Sequence, residues 1–305
     1  MQENEITVAV ELDMSLGESP VWSVARQTLY WVDISNGHIH AWRPQAGTPP
    51  TRCELGEKVG CIALADMGLV AAAASGIVRL SGGGEPERLA DNPEWHKEQQ
   101  ERETGQQAGR GNRFNDGRCD ATGRLWVGTI AADEASPTAA LYCLDNGKMT
   151  KRLADISISN GLAFSPDRRW LYHTDSLTRR ILRYPFDVDS GRLGEGDTWV
   201  DLEALGLPGV PDGAAVDSEG CYWNALYGGG RIVRFSPEGE LVTEHLVPCP
   251  HPTMVAFGGP DLRTLFITTA TQHLDAEGKA RWPAAGSLLQ MKTGVAGLAE
   301  PVFRG

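Results

Sequence analysis

Four short, oxygen-bearing side chains, Glu18, Asn115, Asn160 and Asp212, occupy equivalent positions in a unit that the sequence repeats. If the fold brings them together, the two carboxylates would repel each other and would be costly to desolvate without a positive charge between them. A hard divalent cation with oxygen ligands would neutralise them. Because the set contains no Cys or His, it favours Ca²⁺, Mg²⁺ or Mn²⁺ over a structural Zn²⁺. Each residue alone is typical of an ordinary turn, but four in register indicate a shared site.

The repeated unit predicts how these side chains are positioned. Its six copies have their anchors at Glu18, Gly60, Asn115, Asn160, Asp212 and Met254. Each anchor is followed by turn residues and then by two further apolar strands. Six such units are typical of a six-bladed β-propeller with four antiparallel strands per blade, whose innermost strands line a central channel. The last unit lacks a fourth strand, so we expect the segment 6–12 to close that blade and remove an open sheet edge.

The composition fits one all-β propeller domain over residues 1–305, with 36 glycines and 18 prolines for its many turns. A net charge of −12 argues against nucleic acid or an anionic membrane surface as a partner. The N-terminal segment lacks the pattern of a secretory signal, and the longest apolar run is too short to cross a bilayer. Six scattered cysteines are expected to be reduced, mostly buried thiols. We therefore expect a cytoplasmic protein, either a monomer or a weak homo-oligomer.

A polar insertion at residues 91–111 precedes the third anchor and is predicted to form a lid over the channel mouth. The alternative is a disordered surface excursion. Arg113 precedes Asn115 by two positions, so on an extended strand both side chains point the same way. Together they would hydrogen-bond hydroxyl groups or a carboxylate of a small polar ligand. Alternatively, Arg113 only forms a surface ion pair with the glutamates of the insertion.

Five motifs, spread in order over nearly the whole chain, resemble those of the SMP-30/gluconolactonase family of six-bladed propellers. They are L-G-E-S-P-V-W at 16–22, R-F-N-D-G at 113–117, S-N-G-L-A-F-S-P-D at 159–167, P-D-G at 211–213 and A-F-G-G-P-D-L at 256–262. The resemblance implies one divalent metal ion bound by Glu18, Asn160 and Asp212. Calcium is favoured, with zinc, manganese, magnesium and iron as alternatives.

The same resemblance assigns further roles in the site. Asp212 would also act as the general acid/base, and Arg113 and Asn115 would contact the substrate. A carboxylate shortly after the Gly-Thr of the third unit would contact sugar, and Asp133 is the candidate in this chain.

The activity that the resemblance implies is hydrolysis of a small sugar lactone to an aldonic acid, with the metal polarising the carbonyl. An Asp bound to a dication is a weak base. The sequence therefore leaves open whether Asp212 is the base or mainly orients a water held by the metal. Two other functions also stay open: a related propeller esterase or phosphotriesterase, and a non-catalytic, metal-stabilised propeller that binds a ligand. Arg113 and Asn115 favour a polyhydroxylated lactone, but not one particular sugar.

Overall fold

The structure is a computed structural model that describes residues 4–82, 84–95 and 111–305. Most of the predicted lid, at residues 96–110, lies outside the described residues. In the described ranges the regular secondary structure is almost all β-strand, with a single short α-helix. None of the described helices is long and apolar enough to cross a membrane. All six cysteines are unpaired, and all except Cys53 are buried.

In the part of the chain that the structure describes, 25 strands form six antiparallel sheets, which we call blades 1 to 6. In chain order the strands are β1 (Thr7–Val10), β2 (Gly17–Ser23), β3 (Thr28–Asp33), β4 (His38–Trp42), β5 (Thr51–Glu54), β6 (Val59–Leu64), β7 (Leu69–Ala73), β8 (Gly76–Leu80), β9 (Glu87–Asp91), β10 (Arg113–Cys119), β11 (Leu125–Ile130), β12 (Ala139–Asp145), β13 (Lys148–Ile156), β14 (Ser159–Phe164), β15 (Trp170–Asp175), β16 (Arg180–Asp187), β17 (Arg192–Leu193), β18 (Asp197–Asp201), β19 (Val210–Val216), β20 (Tyr222–Tyr227), β21 (Arg231–Phe235), β22 (Leu241–Leu246), β23 (Pro252–Gly258), β24 (Thr264–Thr269) and β25 (Leu288–Lys292). The helical segments are α1 (Ala276–Arg281) and the 3-10 turns Pro44–Ala46 and Ser176–Thr178.

Each blade begins with the strand that carries one of the six anchors. Blade 1 is β2 to β5, blade 2 is β6 to β9, blade 3 is β10 to β13 and blade 5 is β19 to β22. Blade 4 has five strands, because β17 and β18 both pair with β16. Blade 6 is β23, β24 and β25 with β1 at its outer edge. The predicted six-bladed propeller is therefore confirmed.

The N-terminal strand closes the ring, as the missing fourth strand of the last unit predicted. β1 pairs antiparallel with β25, with Thr7 opposite Gln290 and Val8 opposite Leu289. On the inside, β2 packs against both β23 and β6, so the innermost strands form a continuous ring. This closure brings an N-terminal strand next to a C-terminal one. The third strand of the last blade, β25, is therefore paired on both sides.

A β-bulge interrupts each innermost strand at or next to its anchor. In β2 the pairing with β3 shifts between Glu18 and Val21, and in β14 the pairing with β15 shifts between Asn160 and Ala163. Ser19, directly after its anchor, has a φ of 47°, which few residues other than glycine adopt. A bulge bends the strand and re-aims the side chains next to it. The bulges thus determine which residues face the channel.

Buried aspartates in two turns fix the tryptophans that pack inside the blades. In blade 3 the Asp120 carboxylate accepts hydrogen bonds from Trp126 Nε1 at 2.9 Å and Arg124 Nε at 2.7 Å. In blade 5 the Asp217 carboxylate accepts one from Trp223 Nε1 at 2.8 Å. Both aspartates follow their anchors by five positions and are fully buried. These tryptophans therefore support the blades and are not exposed to a ligand.

The C-terminal segment crosses the channel end at which the innermost strands finish. Glu300 pairs with Arg118 near the end of β10, with Oε1 and Nη1 2.6 Å apart. Phe303 donates its backbone N–H to the carbonyl of Leu64 at the end of β6. A cavity of about 370 Å³ remains between this segment and blades 3 to 5. The anchors lie at the opposite end of the same strands.

Candidate active site

A cavity of about 110 Å³, lined by both polar and apolar side chains, lies at the channel end where the innermost strands begin. Its wall contains Glu18 from blade 1, Asn115 from blade 3, Asn160 from blade 4 and Asp212 from blade 5, together with Arg113. These residues are far apart in the sequence and meet because each stands at the start of an innermost strand. The structure thus brings together five of the six site residues predicted from the sequence.

A chain of hydrogen bonds orders one side of the cavity. Arg113 Nη1 donates to Asn115 Oδ1 at 2.8 Å, and Asn115 Nδ2 donates to Asn160 Oδ1 at 2.8 Å. Asn160 Nδ2 then donates to the Ser176 hydroxyl at 2.9 Å, which donates to the carbonyl of Pro211 at 2.7 Å. The amide oxygen of Asn160 has two lone pairs and uses one of them here. The other can serve a ligand in the cavity.

Two carboxylates of the cavity, those of Glu18 and Asp212, are strongly perturbed. Glu18 and Asp212 are each only 8% exposed. Burial, and next the negative charge of Asp116, raises the pKa of Glu18 to about 8. Burial, and next the charge of Glu18, raises the pKa of Asp212 well above its ordinary value. Arg113 opposes both shifts, but its single charge is outweighed. Burial and mutual repulsion therefore favour the protonated forms of both groups, and a bound cation would favour the charged forms.

The donor set of the cavity fits a divalent cation bound by oxygen atoms. Nowhere in the described ranges is there a group of three or more His, Cys, Asp and Glu side chains placed to hold a metal ion. A cation in the cavity would therefore rely on the amide oxygen of Asn160 as well as on Glu18 and Asp212. Hard cations such as Ca²⁺ accept amide oxygens alongside carboxylates. A bound dication would also remove the cost of burying two carboxylates side by side.

The sixth predicted residue, Asp133, does not reach the cavity. Its exposed carboxylate caps a turn, where it accepts hydrogen bonds from the backbone N–H groups of Ala135 at 3.0 Å and Ser136 at 2.8 Å. Glu134, the next residue, has a φ of 55° and lines the cavity instead. Its charge is the strongest electrostatic support of the Arg113 guanidinium, whose pKa burial lowers. The carboxylate beside Arg113 is therefore that of Glu134.

The match to a known protein family covers most of the chain and includes all the cavity residues described so far. The family model described as "SMP-30/Gluconolactonase/LRE-like region" matches residues 16–271. The chain belongs to this family. Its membership confirms the resemblance that the five sequence motifs indicated.

Members of the family with known names match nearly the full length of the chain. A 6-deoxy-6-sulfogluconolactonase of Pseudomonas putida is 44% identical over 293 residues, covering 95% of each chain. The pentonolactonase XacC of Haloferax volcanii is 34% identical, covering 98% of this chain and 97% of its own. The crystal structure of regucalcin from Agrobacterium tumefaciens, described as a calcium-binding protein, superposes with a TM-score of 0.88 at 31% identity. That superposition covers 98% of this chain and 97% of regucalcin.

Sequence reasoning missed a second group of cavity residues, on the side opposite Arg113. Tyr227, Gln272 and His273 line the cavity from blades 5 and 6. The Tyr227 hydroxyl lies 3.0 Å from His273 Nδ1, and its ring stacks on His251 at 4.4 Å. In a ring of six, blade 6 faces blade 3, so these polar groups face Arg113 across the cavity. None of them stands at an anchor position of the repeated unit, and no sequence pattern singles them out.

Proposed function

We propose that this protein hydrolyses a sugar lactone to the aldonic acid with a divalent cation bound at Glu18, Asn160 and Asp212. The observation that carries the proposal is the burial of two carboxylates beside a free amide lone pair, next to hydrogen-bond donors for hydroxyl groups. The names of two relatives, a sulfogluconolactonase and a pentonolactonase, support lactone hydrolysis. Regucalcin, described as calcium-binding, supports Ca²⁺ as the cation, with zinc, manganese, magnesium and iron as alternatives.

The residues of the chain account for the proton transfers of this reaction. When bound, a divalent cation would polarise the lactone carbonyl and stabilise negative charge on its oxygen. Asp212 takes the proton of the attacking water as the oxygen of that water bonds to the carbonyl carbon. It then gives this proton to the ring oxygen as the ring C–O bond breaks. The product carries a carboxyl group and a new hydroxyl group, so no further reactant is needed.

Blade 3 supplies the groups that orient the substrate. The hydrogen bond from Arg113 to Asn115 holds the guanidinium in place, and Glu134 adds an acceptor beside it. Hydrogen-bond donors and an acceptor in one cavity can bind hydroxyl groups of a sugar ring. An apolar ester or a phosphotriester has no hydroxyl groups to satisfy them, and unpaired buried polar groups oppose binding.

A substrate panel tests the proposal directly. We expect the purified protein to hydrolyse five- and six-carbon aldonolactones, with release of acid followed by a pH indicator. Activity should fall on chelation and return with added Ca²⁺ or another divalent cation. An aryl ester and a phosphotriester in the same panel should be poor substrates. Preference for either of these, or full activity in excess chelator, would contradict the proposal.

Glu134 and Asp133 allow a matched test of substrate binding. Glu134→Gln should raise KM for aldonolactones roughly ten-fold, because it removes a charge-assisted hydrogen bond of about 1.5 kcal/mol. Asp133→Asn changes the neighbouring carboxylate in the same way, but outside the cavity, so its KM should stay near that of the parent. Steady-state kinetics on one lactone measure both. A raised KM for Asp133→Asn and a parental KM for Glu134→Gln would instead assign substrate binding to Asp133.

A further inference from the structure

Asp116 is a buried carboxylate that the reaction proposed above does not use. It follows Asn115 in the bulge of β10 and is only 6% exposed. Its Oδ2 accepts a hydrogen bond from the backbone N–H of Leu162 at 2.8 Å. Its Oδ1 is buried and has no hydrogen-bond partner within the described part of the chain. A buried carboxylate oxygen without a partner costs free energy, so its presence calls for a ligand.

The position of Asp116 connects it to the cation site. Asn115 bonds to Asn160, and Asp116 bonds to Leu162, two residues further along β14. Two consecutive residues of β10 thus hold the bulge that presents Asn160. The negative charge of Asp116 also acts on both Glu18 and Asp212, whose pKa values it helps to raise. Asp116 therefore shares one buried region with the three residues of the site.

The charges of this region do not balance. Glu18, Asp116 and Asp212 place three carboxylates in this region. Arg113, the cation that opposes the raised pKa of Glu18 and of Asp212, is itself beside Glu134. When these groups are ionised, the region carries an excess of negative charge. Below them, Arg118 also acts on Asp116. Its own charge, however, is matched by Glu300 at 2.6 Å, and it donates to the carbonyl of Ala214 at 2.7 Å. A divalent cation would reduce this excess.

We propose that Asp116 is a positioning residue for the cation. Its charge increases the affinity of the Glu18, Asn160 and Asp212 site, and its free Oδ1 accepts a hydrogen bond from water in the hydration shell of the ion. Calcium commonly keeps water among its ligands, and groups beyond the direct ligands tune metal affinity. This inference rests on the cation site of the proposed function, but not on lactone hydrolysis.

A purely structural role would give a different result. If Asp116 only holds Leu162, Asp116→Asn still offers an acceptor to the Leu162 N–H and should leave both the Kd for Ca²⁺ and the metal-free melting temperature near those of the parent. If it serves the cation, its charge is a burden to the cation-free fold, because like charges are buried together. Asp116→Asn separates the two roles, since the amide keeps the shape and an acceptor for Leu162 N–H but removes the charge.

The experiment compares full-length parent and Asp116→Asn by calorimetric titration with CaCl₂ after removal of bound metal, and by melting with and without Ca²⁺. We expect the Kd for Ca²⁺ to rise about 10–100-fold. The melting temperature of the metal-free variant should be equal to or higher than that of the parent, and its gain on adding Ca²⁺ should be smaller. Asp66→Asn, which removes an exposed carboxylate from blade 2, should leave Kd unchanged because solvent screens that charge.

The outcomes separate the inference from the proposed function. A parental Kd in Asp116→Asn overturns the inference, whatever the melting temperature, and leaves Asp116 as a structural residue that holds Leu162. Asp116→Glu keeps the charge, so its Kd should lie between those of the parent and the Asn variant. A Kd for the Glu variant as weak as that for Asn would also count against a role of the charge. If the parent binds no divalent cation, the cation site itself is refuted, whereas a parent that binds Ca²⁺ but hydrolyses no lactone refutes only the proposed activity.

Discussion

Asp212→Asn is expected to reduce lactone hydrolysis by about 10²–10⁴-fold through loss of proton transfer alone. Asparagine keeps the shape of the side chain and an oxygen that can face a cation, but it has neither the charge nor the ability to take a proton. Because Asp212 is buried at the start of β19, the exchange changes no contact with solvent. The measurement is kcat on an aldonolactone at saturating Ca²⁺, with the melting temperature as a check of folding.

Glu18→Gln is the matched variant at the other carboxylate of the proposed cation site. It removes the same charge but not the group proposed to transfer the proton in the reaction, so it should mainly weaken cation binding, and excess Ca²⁺ should restore part of the activity. Asp212→Asn should not be restored. If both variants hydrolyse sugar lactones as fast as the parent, the catalytic site lies elsewhere in the molecule.

Removal of bound cations should make the stability of the protein fall as the pH rises from about 4.5 to 8. In the folded chain the pKa of Glu18 is raised from 4.5 to about 8, so across this window the folded state keeps a proton that the unfolded state releases. Each pH unit then costs about 1.4 kcal/mol, or at most about 5 kcal/mol over the window for this one group. The raised pKa of Asp212 acts in the same direction. The measurement is the free energy of unfolding by urea in chelator at several pH values.

Glu18→Gln isolates this effect from the other titrating groups. Gln does not titrate, so the variant should gain stability relative to the parent as the pH rises, and the two should converge near pH 4.5. Added Ca²⁺ should reduce the pH dependence of the parent, because a cation favours the charged carboxylate. If the free energy of unfolding in chelator changes with pH equally in parent and variant, burial does not raise the pKa of Glu18.

Repetition made the fold predictable from the sequence. Six units with turns and strands at similar offsets define the six blades, and the missing fourth strand of the last unit led to β1 at its edge. The convergence of Glu18, Asn160 and Asp212 followed from the same repetition, since equivalent positions of a closed ring lie at the same level of the channel. The roles proposed for these residues still await the experiments above.

Other parts of the site depended on backbone geometry and burial, which the repeat pattern of the sequence does not predict. Asp133 and Glu134 are adjacent carboxylates, and only the turn, with Glu134 at a positive φ, decides which one faces the cavity. Ser176 and His273 enter the cavity from loops whose paths depend on neighbouring blades. The free oxygen of Asp116 is also a tertiary property, because burial and missing partners are set by every element around it. The sequence by itself thus determined the ring and its anchors. The tertiary structure decided which charged side chains in the ring interact with each other. Electrostatic coupling depends on distance and desolvation rather than on order along the chain.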